Sequence, residues 1–191
     1  MPDFYSESAS RYQPKAQPYL DAIARGARDH ASVRQYLLSG TPFADRYHDC
    51  RVAWDRQRAC RDPFNRMKQP FWANYWYEPC ARCTCRMDDT VSMEIDAILF
   101  FQLETDRTLA VHIEMKMDDE RLSRGQAEAY RPRAECFQNG GRRRRTLLSH
   151  SDFLTVLFCG TEPENVENFF DRIILHTDAR RIIPGYPVAI P

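Results

Sequence analysis

The chain has 191 residues with 27 basic and 27 acidic side chains, so its formal net charge is zero. This length can bury a core within one domain, and the apolar (43%) and charged (28%) fractions are those of a globular protein, which excludes fibrous and disordered classes. A net charge of zero neither favours nor excludes a polyanionic partner. The first ten residues contain acids and no apolar run, and no apolar run elsewhere exceeds strand length. We therefore expect a cytoplasmic protein without a signal peptide or a membrane association.

The first part of the chain is predicted to be helical. Residues 14–38 place apolar side chains at helical spacing before an "SGTP" stop, which indicates one or two helices, and residues 43–69 carry weaker helical patterns. From residue 70, "PFWANYWYEPCARCTC" is typical of extended structure with a turn at Pro79. This change of pattern predicts a helical N-terminal region over 1–70 and a main domain over 71–191.

Seven cysteines in a chain with no export signal predict reduced thiols or a metal site rather than disulfides. Three of them are close enough to share a zinc ion: Cys80, Cys83 and Cys85. A fourth ligand would have to come from Cys50, Cys60 or His48. Because a second C-x-x-C pair is missing, the pattern favours reduced cysteines, with Zn²⁺ as the less favoured alternative.

A β-hairpin is predicted after residue 91. "SMEIDAILFFQLE" and "TLAVHIEMKM" are strand-like and are separated by "TDR", a tight turn. A helix is predicted next, over 118–138, with acids in its first turn.

Three further elements complete the predicted order. "FLTVLFC" is apolar throughout, as expected for a central strand buried on both faces. A helix over 162–173 and a last strand over 172–177 follow. The resulting order, a helical start and then β-β-α-β-α-β, predicts an α/β fold, an α+β sandwich with a mixed sheet.

Ionisable side chains line one face of the predicted hairpin. On the second strand, His112, Glu114 and Lys116 alternate with apolar residues, and on the first strand Glu94 and Asp96 share a face. A solvated sheet edge would explain this pattern, and so would an active site. Two converging carboxylates repel each other, so their burial requires a cation. Hard oxygen ligands suit Mg²⁺ or Mn²⁺, and Lys116 could reach a water or a phosphate oxygen.

These residues resemble a known motif. "EID", a hairpin turn and "HIEMK" are similar to the core motif of the PD-(D/E)XK nuclease superfamily, and "GQAEAY" resembles the QxxxY element of its exonuclease-like branch. The resemblance covers residues 91 to about 160 and hardly any of the first 90. It implies a restriction-endonuclease-like core, a mixed central sheet flanked by helices, and metal-dependent hydrolysis of DNA phosphodiester bonds. The alternatives left open are RNA as substrate and a non-catalytic nucleic-acid-binding or protein-interaction module.

The resemblance implies a role for each matching position. Asp96 and Glu114 would bind Mg²⁺ (or Mn²⁺) together with the backbone carbonyl of Met115. Lys116 would orient the attacking water or help to deprotonate it. Gln126 and Tyr130, one helical turn apart, would position the phosphodiester or the metal shell. The chain departs from the family in having no Glu between Glu7 and Glu78, where many members supply one more acid from a helix.

Other polar residues have weaker assignments. Arg124 could contact a phosphate, although a solvated helix face is favoured. The run "NGGRRRRT" could pair with backbone phosphates or form a solvated loop, and its place after the helix that the resemblance assigns to the nuclease site favours nucleic acid. Its arginines are Arg142, Arg143, Arg144 and Arg145. His112 could touch the site, but hydrogen bonding to its neighbours is favoured. The sequence leaves the oligomeric state open, and a homo-oligomer is compatible with it.

Overall fold

A computed structural model describes residues 15–62, 69–76, 94–118, 120–122, 125–139, 147–161, 163, 166 and 168–188. In these residues the chain forms a mixed α/β fold with one six-stranded sheet and five helices. The helices are α1 (Gln17–Asp29), α2 (Ala31–Leu38), α3 (Trp54–Arg61), α4 (Gln126–Gln138) and α5 (His176–Ile182). The strands are β1 (Arg51–Val52), β2 (Ala73–Trp76), β3 (Glu94–Gln102), β4 (Thr108–Met115), β5 (Asp152–Cys159) and β6 (Arg172–Leu175).

The sheet is mixed, with the strand order β1-β3-β4-β5-β6 and β2 also paired to β3. β3 runs antiparallel to β1, β2 and β4, whereas β4, β5 and β6 are parallel to one another. The predicted hairpin is confirmed as β3 and β4, joined by a turn in which Asp106 has a φ of 62°. The prediction of a central apolar strand is also confirmed, because β5 lies between β4 and β6 with residues 154–159 buried.

Two apolar clusters cover the two faces of the sheet. On one face, α1 and α2 pack Leu20, Ile23 and Leu37 against a cluster that includes Val111 and Phe158. On the other face, Tyr130 and Phe137 of α4 join a second cluster with Ile98, Phe100 and Leu157. Since a fully buried Leu or Ile side chain contributes about 1.5–3 kcal/mol, these two layers supply most of the stability. None of the described helices is long and apolar enough to cross a lipid bilayer.

The helix predicted over 118–138 begins later, at Gln126. Gly125, just before it, has a φ of 75°, a left-handed conformation that cannot continue a helix backwards. The described residues 118, 120, 121 and 122 are therefore not helical, and the acid in the first turn is Glu128 rather than Asp118 or Glu120. The prediction was wrong for this segment because Gly125 interrupts a run of residues with helical composition.

The second helix prediction, over 162–173, was also wrong. Its described residues 163, 166 and 168–171 contain turns and no helix, and Arg172 and Ile173 already belong to β6. Asp171 instead accepts hydrogen bonds from the backbone N–H and the hydroxyl of Thr155 (2.8 and 2.9 Å). The last strand ends at Leu175, and α5 follows directly. Sequence reasoning missed α5 because seven residues are too few to show a helical period.

The N-terminal part was predicted in outline. α1 and α2 confirm the two-helix alternative, and α3 accounts for part of 43–69, where turns and β1 also occur. β1 comes from within residues 1–70 and pairs with β3. Of the extended segment predicted over 70–85, residues 73–76 form β2, whereas residues 77–85, with Pro79, lie outside the described residues.

Candidate active site

Asp96 and Glu114 occupy facing positions at one end of the hairpin. The register pairs Ala97 with Ile113, and its continuation by one residue sets Asp96 opposite Glu114. Directly opposed residues of an antiparallel pair leave the sheet on the same side. Both carboxylates are buried, with 6% and 2% of each residue exposed. Two acids are thus withdrawn from water next to each other, which requires compensation from other groups.

Glu114 receives that compensation from three side chains. Gln126 donates to Oε1 and Tyr130 donates its hydroxyl hydrogen to Oε2. Lys116 places its Nζ 2.9 Å from Oε1. Gln126 and Tyr130 are four residues apart and therefore lie on one face of α4. The carboxylate is held by one charge and two hydrogen bonds, the arrangement in which a buried charge is tolerated.

Asp96 is held by backbone. Its Oδ2 accepts a hydrogen bond from the N–H of Met115 at 2.7 Å. Met115 makes this contact through its backbone nitrogen. The metal contact that the family resemblance implies would use its carbonyl instead. The bond ties the end of β3 to the end of β4, next to Glu114.

The charge state of Lys116 follows from its neighbours. Burial by itself would lower the pKa of its ammonium group, but the charge of Glu114, helped by Asp96 and Glu120, outweighs burial and raises the pKa. The side chain is therefore protonated at neutral pH. In this state it is a hydrogen-bond donor and a positive charge, and it cannot accept a proton from water.

Tyr130 is also fixed in its protonated form. Burial first, and then repulsion from Glu114 and Asp96, raise the pKa of its hydroxyl well above the ordinary value. The buried guanidinium of Arg133 lies over the Tyr130 ring, 4.8 Å from its centroid. Arg133 also donates to the carbonyls of Ala129 (3.0 Å) and Gln126 (3.2 Å). Sequence reasoning missed Arg133, although its position seven residues after Gln126 on one helix was a usable signal.

A cleft of about 500 Å³ opens beside these residues. It is lined by Asp96, Met115 and Lys116 together with Lys15, Ala16, Glu120 and Arg121. Lys15 and Arg121 add positive charge to this lining, and Glu120 adds an acid. These three residues were not predicted to lie at the site, because they come from the segments before α1 and after β4 and share no spacing with the motif residues.

His112 lies in the core. It is fully buried, and within the described part of the chain neither ring nitrogen has a hydrogen-bond partner. Its ring packs 5.9 Å from Phe137 and 6.5 Å from His150, between centroids. Burial, followed by the charges of His150 and Arg133, lowers the pKa of His112 well below the usual value, so the ring is neutral. The expectation that its neighbours hydrogen-bond it was wrong, because α4 covers this part of the strand with an apolar ring.

The remaining candidates lie outside the described residues. They are Arg124, Arg142, Arg143, Arg144, Arg145, Cys80, Cys83 and Cys85. Of the fourth zinc ligands considered, Cys50 is buried, Cys60 is half-buried, and His48 is exposed and bonded to Gln35 and Asp49.

The donor set of the site fits magnesium. The described residues contain no group of three or more His, Cys, Asp or Glu that could hold a metal ion. Mg²⁺ does not need such a group, since it is commonly bound by one or two carboxylates together with waters and substrate phosphates. Asp96 and Glu114 supply two carboxylates beside an open cleft.

A scan of protein-family models, a search of curated proteins and a search of solved structures each returned no match to this chain.

Proposed function

We propose that this chain is a metal-dependent nuclease of the PD-(D/E)XK type, with a restriction-endonuclease-like core, that hydrolyses DNA phosphodiester bonds. One observation carries the proposal: Lys116, Gln126 and Tyr130 all contact Glu114. Glu114 and Lys116 belong to the strand motif "HIEMK", whereas Gln126 and Tyr130 belong to the helix motif "GQAEAY". Nothing in the spacing of the two motifs requires them to be in contact. Their convergence on one buried carboxylate beside Asp96 supports a common chemical task.

The chain's own residues divide that task. Asp96 and Glu114 would hold Mg²⁺ or Mn²⁺, with Gln126 and Tyr130 keeping the Glu114 carboxylate in one orientation. When bound, the ion supplies charge neutralisation at the phosphate and acidifies water. Lys116 would hold the attacking water or a phosphate oxygen by donation from its ammonium group.

DNA is the proposed substrate because of the charge around the cleft. Lys15 and Arg121 line the cleft together with Lys116, where they would pair with backbone phosphates. We also propose a cytoplasmic location, which agrees with cysteines outside any disulfide at the described positions Cys50 and Cys60.

A cleavage assay on linear, circular and single-stranded DNA with Mg²⁺ or Mn²⁺ tests the proposal. Asp96→Asn and Lys116→Met keep the side-chain size and remove the charge, and each should reduce cleavage at least about 100-fold, as expected when a charge that stabilises the transition state is lost. Asp178→Asn and Arg181→Met, exposed residues of α5, are matched controls that should cleave like the native chain. Equal activity in all five proteins would indicate a contaminating nuclease and refute the proposal.

One observation favours the alternative, a non-catalytic nucleic-acid-binding or protein-interaction module. Both oxygens of Glu114 already accept hydrogen bonds or a salt bridge, so this carboxylate is compensated without a metal. Such a module would bind DNA in EDTA and in Mg²⁺ alike and would cut none. DNA binding without cleavage under any metal condition would therefore replace the nuclease proposal with this one.

A further inference from the structure

The backbone of Lys116 is held from two sides by other elements. β4 ends at Met115, yet the N–H of Lys116 still donates to the carbonyl of Phe158 on β5 at 2.8 Å. Its carbonyl lies beyond the strand ladder and bonds to Nε2 of His176 at 2.9 Å. His176 is the first residue of α5 and only 2% of it is exposed. One of these two backbone hydrogen bonds of Lys116 therefore depends on α5, a helix that is distant in sequence.

The partners of His176 define its tautomer. A carbonyl oxygen can only accept, so Nε2 carries the hydrogen and Nδ1 is the acceptor. Nδ1 lies 2.8 Å from the hydroxyl of Tyr186, which donates to it. Burial lowers the pKa of His176 and raises that of Tyr186, so the ring stays neutral and the hydroxyl keeps its proton. The ring of Tyr19 on α1 packs against both, at 5.2 and 5.3 Å between centroids.

Gly160 lets the chain come close enough for this contact. β6 pairs with β5 and not with β4, so His176 reaches the segment after β4 across the end of β5. Gly160 follows β5 at that point, and a Cβ there would lie 1.4 Å from Oδ1 and 3.0 Å from Cα of Asp118. A Cβ at position 160 would therefore force Asp118, two residues after Lys116, to shift.

We propose that His176 is a positioning residue for Lys116: its Nε2–H holds the Lys116 carbonyl and thereby fixes the backbone from which the ammonium reaches Glu114 and the cleft. This inference rests on the proposed function of the site. The Lys116 side chain is only 16% exposed and its Nζ already lies 2.9 Å from Oε1 of Glu114, so the stem has little room to compensate for a shift of its own backbone. A misplacement of about 1 Å at a reacting centre can lower a rate about 100-fold.

Two amide substitutions separate positioning from simple packing. In His176→Gln the amide nitrogen lies as many bonds from the backbone as Nε2, so it can still donate to Lys116. In His176→Asn the amide matches Nδ1 and stops short of that carbonyl. We expect kcat on plasmid DNA with saturating Mg²⁺ to fall roughly 10- to 100-fold in His176→Asn with KM unchanged. The Gln variant should stay within about threefold of the native rate, an estimate from the donor that it retains.

A second measurement does not depend on activity. The ¹⁵N signal of the Lys116 ammonium should be sharp in the native chain and in His176→Gln, because the ion pair with Glu114 slows proton exchange, and should broaden in His176→Asn. Thermal melting of all three proteins verifies folding. If His176→Asn only lowers the melting temperature and keeps the native kcat and ammonium signal, His176 merely anchors α5 and the proposal is refuted.

Failure of the parent proposal gives a different result. If the native chain cuts no DNA under any metal condition, the nuclease function is refuted, and the ammonium signal alone decides the role of His176. A signal lost in the Asn variant and kept in the Gln variant supports positioning. An identical signal in all three proteins overturns it.

Discussion

Tyr130 on α4 donates its hydroxyl hydrogen to Oε2 of Glu114 on β4, so that a helix and a sheet are joined by a buried polar contact beside an apolar cluster. Gln126, one turn earlier, donates to the other oxygen of the same carboxylate. The two bonds determine the rotation of α4 about its axis as well as the direction of the carboxylate. Structure and proposed chemistry therefore depend on the same atoms.

Tyr130→Phe should destabilise the protein because it removes the donor to Oε2 and leaves that oxygen buried. We expect the free energy of unfolding in urea to fall by about 1–3 kcal/mol, the cost of an unsatisfied buried polar group. Glu104→Gln, at an exposed residue between β3 and β4, is a control expected to change it by less than about 0.5 kcal/mol, as for most surface substitutions. Equal losses in the two variants would contradict the structural role of the hydroxyl.

Lys116→Met should remove a stabilising contribution whose pH dependence follows from the raised pKa of the native ammonium. A group with a raised pKa stabilises the fold fully below its unfolded value, about 10.4 for lysine, and this stabilisation is lost as the pH rises through the folded value. The difference in unfolding free energy between native and variant should therefore be constant from pH 6 to 9. A difference that disappears within that range would show that the amine loses its proton near neutral pH, as a general base would.

Gly160→Ala should disturb the site from outside it, because the added Cβ meets Asp118 two residues after Lys116. We expect both lower stability and a cleavage rate reduced about tenfold or more, an estimate for a sub-ångström shift of Lys116. Gly185→Ala is the matched control: Gly185 has a φ of +71° with open space around it, so alanine there costs backbone energy alone. If both variants lose stability and neither loses cleavage rate, Gly160 does not act through Lys116.

His112→Phe should stabilise the protein at acid pH. Both ring nitrogens are buried and have no partner in the described part of the chain, and burial lowers the pKa of the ring. A lowered pKa means that stability is present above the unfolded value, about 6.5, and is lost as the pH falls towards the folded value. The native chain should lose stability between pH 6.5 and 4.5 relative to the variant. Parallel stability curves from pH 8 to 4.5 would contradict the neutral, buried state of His112.

The elements that could be predicted from the amino-acid sequence are those whose residue pattern lies within one short segment. Alternation at every second residue located β3 and β4, because steric rules send neighbouring strand side chains to opposite faces, and it put Glu114 and Lys116 on one face. The four-residue spacing of Gln126 and Tyr130 predicted a shared helical face, and the apolar run of β5 predicted its central place. These patterns depend on backbone geometry and not on the path of the rest of the chain.

Which strand face and which helix face come into contact depends on the packing of the whole chain. The contact of Tyr130 with Glu114 depends on where α4 begins, and a left-handed glycine sets that start. The burial of His112 depends on a ring from α4, and the hold on the Lys116 carbonyl depends on a helix 60 residues further along. Such contacts join segments distant in sequence and are selected by packing of the whole core. No period or spacing within one segment records them.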